Sequence, residues 1–262
     1  MTTSHSMMTG VGGRHVFLTL DAFEALDNVV QTVCEATKHS SNPILPLGRV
    51  DEWDATQARP WETRTVLFDD EVCRFKCWYA GTDLSTDRWW ATGYAESEDG
   101  VNWVKPRVGL VEYNGSKDNN IVWDGAGTHC FTPFKDTNPN CALEARYKAL
   151  GQVHKSGRRD YGAQGEMTVF AFKSPDGIHW TISDGPLITR GDFDSQNTAF
   201  WDPHAGLYRE YHRVRFYQPP EGELIIGGFD ARPGYRSIMT GTSKSFLNWT
   251  SWNFKQWSVS GQ

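Results

Sequence analysis

Three acidic residues stand at related positions in this chain, each a short distance before an aromatic residue that begins a strand-like segment. The pairs are Glu62 and Phe75, Asp136 and Tyr147, and Asp194 and Tyr208, with separations of 13, 11 and 14 residues. Carboxyl groups that share one site can donate a proton, accept one or attack an electrophilic carbon. The pattern predicts acid/base chemistry, provided that the fold brings the three acids together.

A repeated turn motif indicates the elements that would position these acids. Three segments place a serine six residues before a tryptophan: Ser97–Trp103, Ser174–Trp180 and Ser243–Trp249. The first two contain Asp-Gly, a dipeptide typical of tight hairpin turns. These two turns follow an alternating apolar segment, and a further strand-like segment precedes each of the three hairpins. Each unit is therefore predicted to hold two hairpins.

Two hairpins make a four-stranded antiparallel sheet, and repetition of such sheets predicts an all-β chain folded as a β-propeller. The units cover about residues 60–110, 120–185 and 194–250 of a single domain, 17–262, and 251–262 would start a further unit. Residues 1–16 are expected to be a flexible N-terminus. A β-sandwich is the alternative architecture, and helical spacing is confined to Asp21–Ala36. In a propeller the first strands begin at one end of the axis, where the acids would meet.

Composition narrows the classes of function. The 262 residues carry 32 acidic and 26 basic side chains, a formal charge of −6 that disfavours nucleic acid as a partner. No run approaches the roughly 18 apolar residues of a transmembrane helix, and the N-terminus lacks the pattern of a secretory signal. We therefore expect a cytoplasmic protein that does not bind membranes. Its five cysteines are expected to be reduced thiols.

Several motifs resemble those of the five-bladed β-propeller glycoside hydrolases, the superfamily that includes families 32 and 43. They are Asn42–Leu45, Arg59–Glu62, Tyr94–Trp103, Asn114–Asn120 and Phe134–Pro139, together with the repeated turns. The resemblance runs from about Phe17 to Trp249. Three units and the opening of a fourth are visible against five in the family, so the chain resembles an N-terminal portion. Alternatively, the N-terminal segment helps to fill a fourth blade, or an oligomeric partner covers the open sheet edge.

The resemblance implies that the chain hydrolyses a glycosidic bond with two carboxyl groups and needs no cofactor or metal. It assigns Glu62 as base or nucleophile, Asp136 as the group that orients the substrate and tunes the acid, and Asp194 as the acid. Two assignments stay open. Asp54 is an alternative to Glu62, and Asn197 is an alternative to Asp194 that would leave no proton donor there.

Neighbours of these acids are candidates for binding the sugar. Indole rings stack on the apolar faces of sugars, while arginine and amide groups bind hydroxyls. The candidates are Trp61, Arg64, Trp90, His129, Asn197 and Arg213. Two other functions remain open. One is a carbohydrate-binding propeller without catalysis, and the other is a glycoside phosphorylase in which Arg64 or Arg213 binds phosphate.

Overall fold

The computed structural model describes residues 25, 27–28, 30, 32–55, 57–82, 91–154, 167–227 and 234–255, without the side chains of 57–64, 129, 154, 251 and 254–255. Residues 1–40 and 41–262 form two compact units. The described residues of the first unit carry no helix or strand, so the helix expected over Asp21–Ala36 is not found at its described positions. The flexible segment expected over 1–16 lies outside the described residues.

The described residues of the second unit form β-strands, as expected, together with a 3-10 turn at Leu143–Ala145. The strands of its described residues are β1 (Gln57–Asp69), β2 (Arg74–Thr82), β3 (Ala91–Ser97), β4 (Trp103–Val104), β5 (Ile121–Trp123), β6 (His129–Lys135), β7 (Tyr147–His154), β8 (Met167–Ser174), β9 (Thr181–Ile182), β10 (Thr198–Asp202), β11 (Leu207–Tyr217), β12 (Ile225–Gly227), β13 (Tyr235–Ser243) and β14 (Thr250–Lys255). Nowhere in the described ranges does a helix reach the length and apolar character that crossing a membrane requires.

These strands form three antiparallel sheets with the same up-and-down order. The first sheet is β1-β2-β3-β4 with β5 paired to β3, the second is β6-β7-β8-β9, and the third is β10-β11-β13-β14 with β12 paired to β11. Strand β1 packs against β6, and β6 packs against β10. Such sheets, adjacent through their first strands, are the blades of a β-propeller. The predicted fold class is confirmed, although the described residues do not close a ring.

One boundary differs from the prediction. Residues 251–262 were expected to start a further unit, but Thr250–Lys255 pairs with β13 as the fourth strand of the third sheet. The reason is local. A turn joins β13 to β14 without a long connection, and strands joined by a short turn pair with each other. The rest of that segment lies outside the described residues.

The strand register confirms the alignment of the aromatic residues. The cross-strand partners are Phe75 and Ser97, Tyr147 and Ser174, and Tyr208 and Ser243. In the first two turns the serine hydroxyl accepts hydrogen bonds from the backbone N–H groups of the next turn residues, with Gly177 N donating to Ser174 at 2.8 Å. Three positions that the sequence aligned are therefore one structural position, the start of the second strand in each sheet.

Aromatic side chains fill the spaces between consecutive sheets. Between the first and second sheets, Trp78 packs among Tyr147, Phe172 and Trp180. Its indole N–H donates to the Gly177 carbonyl at 2.6 Å. Between the second and third sheets lie the buried side chains of Leu150, Phe193, Tyr208, Phe246 and Trp249. These contacts hold the sheets in chain order and so determine which strand ends meet.

The other face of the first sheet is covered by residues 41–55. Trp53 lies over Gly81 and Gly93, where an added Cβ atom would stand 2.6 and 2.5 Å from the indole ring. The indole N–H of Trp53 donates to Asn120 at 2.7 Å. Only glycine leaves room for a tryptophan at this distance from the backbone. This face of the sheet is therefore occupied from within the chain.

Candidate functional site

The first strands of the three sheets run in the same direction. Lys135, the last residue of β6, donates to Asp69, the last residue of β1, at 2.6 Å. Asp136, one residue further, accepts from Tyr208, which follows the turn after β10. Because the ends of the three strands lie together, their beginnings lie together at the opposite end. We call that end the strand-start end and define it by residues 57–64, 129–131 and 192–198.

Two of the three predicted acids occupy the strand-start end. Glu62 lies in a bulge of β1 between Arg59 and Arg64. Asp194 precedes β10 by four residues. His129, a predicted sugar-binding residue, is the first residue of β6 and stands at this end too. The backbone therefore brings Glu62, His129 and Asp194 to one end of the three sheets.

Asp136 lies at the other end, which corrects the expectation that the three acids converge. Its carboxylate is fully buried, is bonded to Lys148 Nζ, and accepts from the Tyr208 hydroxyl at 2.7 Å. Arg213, the partner of Asp194, lies five residues beyond Tyr208 on β11, which corresponds to about 17 Å along a strand. Catalytic carboxyl pairs in glycosidases lie about 5–9.5 Å apart. Asp136 therefore does not act together with Asp194.

Asp136 instead belongs to a repeated group of residues that joins neighbouring sheets. We call Asp69, Lys76 and Tyr147 the first inter-sheet cluster, and Asp136, Lys148 and Tyr208 the second. Lys76 Nζ lies 2.9 Å from Asp69 and 2.7 Å from the Tyr147 hydroxyl, which donates to Asp69. In both clusters the acid comes at the end of a first strand and the tyrosine belongs to the next sheet. The sequence signal that could have predicted these clusters is the basic residue directly after each aligned aromatic residue.

Burial and hydrogen bonding set the charge states in these clusters. Burial by itself would raise the pKa of Asp69, but hydrogen bonds from Lys135, Tyr147 and Lys76 outweigh it and hold that pKa well below its usual range. Burial, followed by the hydrogen bond to the acid, raises the pKa of Tyr147 and that of Tyr208 well above their ordinary value. Both hydroxyl groups therefore remain donors at neutral pH.

At the strand-start end, Asp194 belongs to a cluster of two acids and two arginines. Arg213 Nη2 lies 3.2 Å from Asp194 Oδ2 and 3.2 Å from Asp192 Oδ1. Asp192 is fully buried and also accepts from Arg215 Nε. The Asp194 side chain is 32% exposed. Asp192 was missed by sequence reasoning, although it lies two residues before Asp194 in the same polar loop. The cluster presents one accessible carboxylate held by a guanidinium group.

A cavity of about 550 Å³ lies beside this cluster. Its lining offers the rings of Tyr211 and His212 together with hydroxyl, amide and guanidinium groups, which include those of Ser195, Gln196, Thr198, Arg213 and Arg236. A larger cavity of about 980 Å³ lies at the other end, between the second and third sheets. Asp184 is the one acidic residue in its described lining, so that cavity does not offer a carboxyl pair. The smaller cavity has no acidic residue in its described lining, but Arg213 in that lining holds the partly exposed carboxylate of Asp194. We therefore take the smaller cavity as the better candidate site.

Asn197 does not face this cavity, which corrects its assignment as a sugar-binding residue. Its side chain is fully buried, and its amide N–H donates to the Phe193 carbonyl at 3.2 Å. Its backbone carbonyl accepts from the Thr132 hydroxyl of the second sheet. Asn197 thus anchors the loop that precedes β10, and Asp194 remains the accessible acid of that loop.

Asp54, the alternative to Glu62, is engaged in the covering segment of the first sheet. It is buried, accepts from the Tyr79 hydroxyl at 2.9 Å and lies 2.7 Å from Lys105 Nζ. Burial, and after it the charge of Asp54, raises the pKa of Tyr79 well above its ordinary value. The carboxylate thus joins residues 41–55 to the sheet and to the loop that follows β4.

The remaining candidates stay predictions. Trp90 lies outside the described residues, and so do the side chains of Trp61, Glu62, Arg64 and His129. Across the part of the chain that is described, no group of three or more histidine, cysteine, aspartate or glutamate side chains is arranged to hold a metal ion.

Comparison with known proteins gives no match to a family model and none to a curated protein. Solved structures do match. A glycosyl hydrolase from Bacteroides ovatus is 13% identical with a TM-score of 0.42, over 73% of this chain and 50% of that one. A structure from the GH130 family of mannoside phosphorylases, which contains glycoside hydrolases that target β-1,2 mannosidic linkages in Candida mannan, is 13% identical with a TM-score of 0.44 over 77% and 54%. A Bombyx mori GH32 β-fructofuranosidase is 12% identical with a TM-score of 0.42 over 76% and 38%.

The chain thus spans between about a third and three fifths of the length of the structures it matches. Similar structures include glycoside hydrolases of the class that the sequence motifs resemble.

Proposed function

We propose that the chain acts on a glycoside at the strand-start end, with Glu62 and Asp194 as the reacting carboxyl groups. The observation that carries this proposal is the position of Asp194. Its partly exposed carboxylate is held by Arg213 at 3.2 Å beside a cavity of about 550 Å³ with hydroxyl, amide and guanidinium groups. Such groups bind the rim hydroxyls of a sugar, and Tyr211 supplies a ring for its apolar face.

The arginine determines how the two roles are divided. Arg213 Nη2 donates to Asp194 Oδ2 at 3.2 Å, so this carboxylate is held in place as an acceptor, as a base or nucleophile requires. We therefore assign the role of base or nucleophile to Asp194 and proton donation to Glu62, the reverse of the family assignment. The proton of Glu62 passes to the leaving oxygen while the bond to the sugar carbon breaks. Asp194 either accepts a proton from a water molecule that attacks the sugar carbon, or attacks that carbon itself. In the second case water then breaks the bond between Asp194 and the sugar and completes the hydrolysis.

Carbohydrate binding without cleavage is the second candidate, and the position of Asp136 favours it. The family assignment uses three acids, whereas Asp136 follows the end of its first strand and Asp194 precedes the start of the next one. Phosphorolysis is a third possibility. Because Arg213 already faces two carboxylates, Arg236, which is exposed at the cavity, is the better phosphate ligand of the two.

Reducing-sugar release from a panel of oligosaccharides and polysaccharides tests the proposal. We expect the wild-type chain to release sugar, and Asp194→Asn and Glu62→Gln each to lower kcat by about 100-fold or more. Asp184→Asn is the matched control, because this exposed aspartate lines the other cavity. We expect its rate to equal that of the wild type.

The alternatives give different results in the same assay. Sugar that binds the wild-type chain in calorimetry without being released identifies a binding protein. Release that requires added phosphate, with a sugar phosphate as product, identifies a phosphorylase. Equal release by the wild type and Asp194→Asn contradicts the proposed site.

A further inference from the structure

One face of the third sheet carries apolar side chains that no other part of the described chain covers. We call it the uncovered face and define it by Phe200, Asp202, Arg209, Tyr211 and Ile238, which point away from the second sheet. Phe200, Tyr211 and Ile238 are 41%, 37% and 39% exposed. The rings of Phe200 and Tyr211 stack with centroids 6.2 Å apart. A contiguous apolar patch of this kind marks an interaction surface.

The corresponding face of the other two sheets is an interface. Tyr211 lies three residues after the aligned aromatic Tyr208, and the same position holds Trp78 in the first sheet and Leu150 in the second. Trp78 and Leu150 are 1% and 0% exposed, because the next sheet packs on them. Two of the three equivalent faces are thus buried by a sheet, and the third is built in the same way.

The uncovered face also carries two members of an inter-sheet cluster. Arg209 Nη2 lies 3.1 Å from Asp202 Oδ2, at the positions that Lys76 and Asp69 hold in the first cluster. In both complete clusters a tyrosine hydroxyl of the neighbouring sheet donates to the acid. Within the described ranges no tyrosine donates to Asp202. Its carboxylate is therefore an acceptor of the kind that binds the neighbouring sheet in the other two clusters.

We propose that the uncovered face docks on the same face of a second copy of this chain. The face supplies an acid that can accept and a phenol that can donate, the two kinds of group that meet in both inter-sheet clusters. It holds the acceptor Asp202 and also the phenol of Tyr211, for which no hydrogen-bond partner exists among the described residues. A two-fold pairing can therefore present the tyrosine of each copy to the acid of the other.

Charge supports the second copy as the occupant. The described side chains on or beside this face include four arginines and three aspartates: Arg209, Arg213, Arg215, Arg236, Asp192, Asp194 and Asp202. The face is close to neutral although the whole chain has a formal charge of −6. Two such faces meet without the repulsion that other acidic surfaces of the two copies would produce.

The far side of the first sheet is a poorer partner for this face. Residues 41–55 already cover it, with Trp53 lying on Gly81 and Gly93. Phe75 stands there at the position of Tyr147 and Tyr208 and has no hydroxyl group to donate. A head-to-tail contact would therefore lack the donor that both inter-sheet clusters contain.

Molar mass in solution tests the proposal. We expect light scattering and sedimentation to show a dimer that dissociates on dilution between about 100 and about 1 μM. Tyr211→Lys is expected to weaken the dimer at least about tenfold, because it places a charge in the contact. Tyr211→Phe keeps the ring and removes the hydroxyl, and a smaller loss of a few-fold is expected. Leu247→Lys is the matched control, since Leu247 is 57% exposed on a turn of the same sheet.

Circular dichroism and thermal unfolding show whether each variant is folded before its mass is compared. A wild-type chain that is monomeric at every concentration overturns the proposal. A Tyr211→Lys variant that dimerises as well as Leu247→Lys also overturns it. Cross-links that join the third sheet to the first sheet of another copy would show the head-to-tail contact instead. Tyr211 and Ile238 also line the candidate cavity, so a dimer through this face would cover that cavity. Molar mass is measured without sugar, so it decides this proposal whether or not the chain releases sugar.

Discussion

At the residue scale, the clearest result is that Asp136, which was predicted to be a catalytic acid, has a structural role. Asp136 and Asp69 are equivalent residues, and each accepts a lysine and a tyrosine hydroxyl at a boundary between sheets. A buried carboxylate is stable only when its charge and lone pairs are matched. The tyrosine that completes the match comes from the next sheet, so the cluster stabilises the order of the sheets.

Removing the hydroxyl group of Tyr208 is expected to destabilise the chain. Tyr208→Phe leaves the buried Asp136 without one of its donors, so we expect the free energy of unfolding to fall by about 1–3 kcal/mol. Tyr147→Phe in the first cluster should have a loss of similar size. Urea unfolding followed by tryptophan fluorescence measures both. Tyr235→Phe is the control, because Tyr235 is 73% exposed and should change stability by less than about 0.5 kcal/mol. Equal stability of all three variants contradicts the role of the clusters.

At the scale of elements, the two boundaries between sheets solve the same packing problem with different residues. In the first, the large Trp78 lies on Gly177, whose φ is +83°, and an added Cβ atom would stand 2.6 Å from the indole. In the second, the smaller Leu150 shares a buried cluster with Phe246, which holds the turn position of Gly177 with φ +67°. The smaller side chain on one side of the second boundary is thus compensated by a larger one on the other side, and both boundaries stay close-packed.

This exchange predicts an energetic coupling between Trp78 and Gly177. Gly177→Phe alone should destabilise the chain by about 3 kcal/mol or more, because the ring meets the indole and the residue has positive φ. With Trp78→Leu added, the pair reproduces the second boundary. We expect the double variant to be more stable than the sum of the single effects by about 1–3 kcal/mol. A double-mutant cycle of unfolding free energies measures this coupling, and simple additivity would contradict the packing argument.

At the scale of the whole molecule, the boundaries between sheets contain ionised aspartates that make stability depend on acid. Burial would raise the pKa of Asp176, but hydrogen bonds from His179 and Ile178 outweigh it and lower that pKa to about 2. The pKa of Asp69 is also held below its usual value, for the reasons given above. An acid with a lowered pKa in the folded state stabilises the fold above its unfolded pKa of about 3.9.

The stabilisation by these acids should therefore be constant at neutral pH and decline as the pH falls. We expect the free energy of unfolding to decrease between about pH 4 and about pH 2, as the folded chain is forced to take up protons. Asp69→Asn should lower stability at pH 7 and make this decline shallower, since one titrating group is gone. Urea unfolding at pH 7, 4 and 3 gives the comparison. A variant with an unchanged slope would show that Asp69 does not contribute to the acid dependence.

The sequence by itself determined the all-β class, the sheets and the alignment of Phe75, Tyr147 and Tyr208. Those properties depend on alternating side chains and on turn residues, which act over a few neighbours in the chain. The limits of the third sheet were less secure, because a short final strand such as Thr250–Lys255 carries little pattern of its own.

Only the tertiary structure decided which of the predicted acids can meet. Asp136 and Asp194 lie 11 and 14 residues before their aligned aromatics, a small difference in the sequence. Asp136 follows the first strand of its sheet, whereas Asp194 precedes the first strand of the next. A strand separates its two ends by its whole length, so a shift of a few residues across it moves a side chain to the opposite end of the molecule. Pairing with residues distant in the chain sets where each strand begins and ends. It therefore determines at which end of the sheets Asp136 and Asp194 lie.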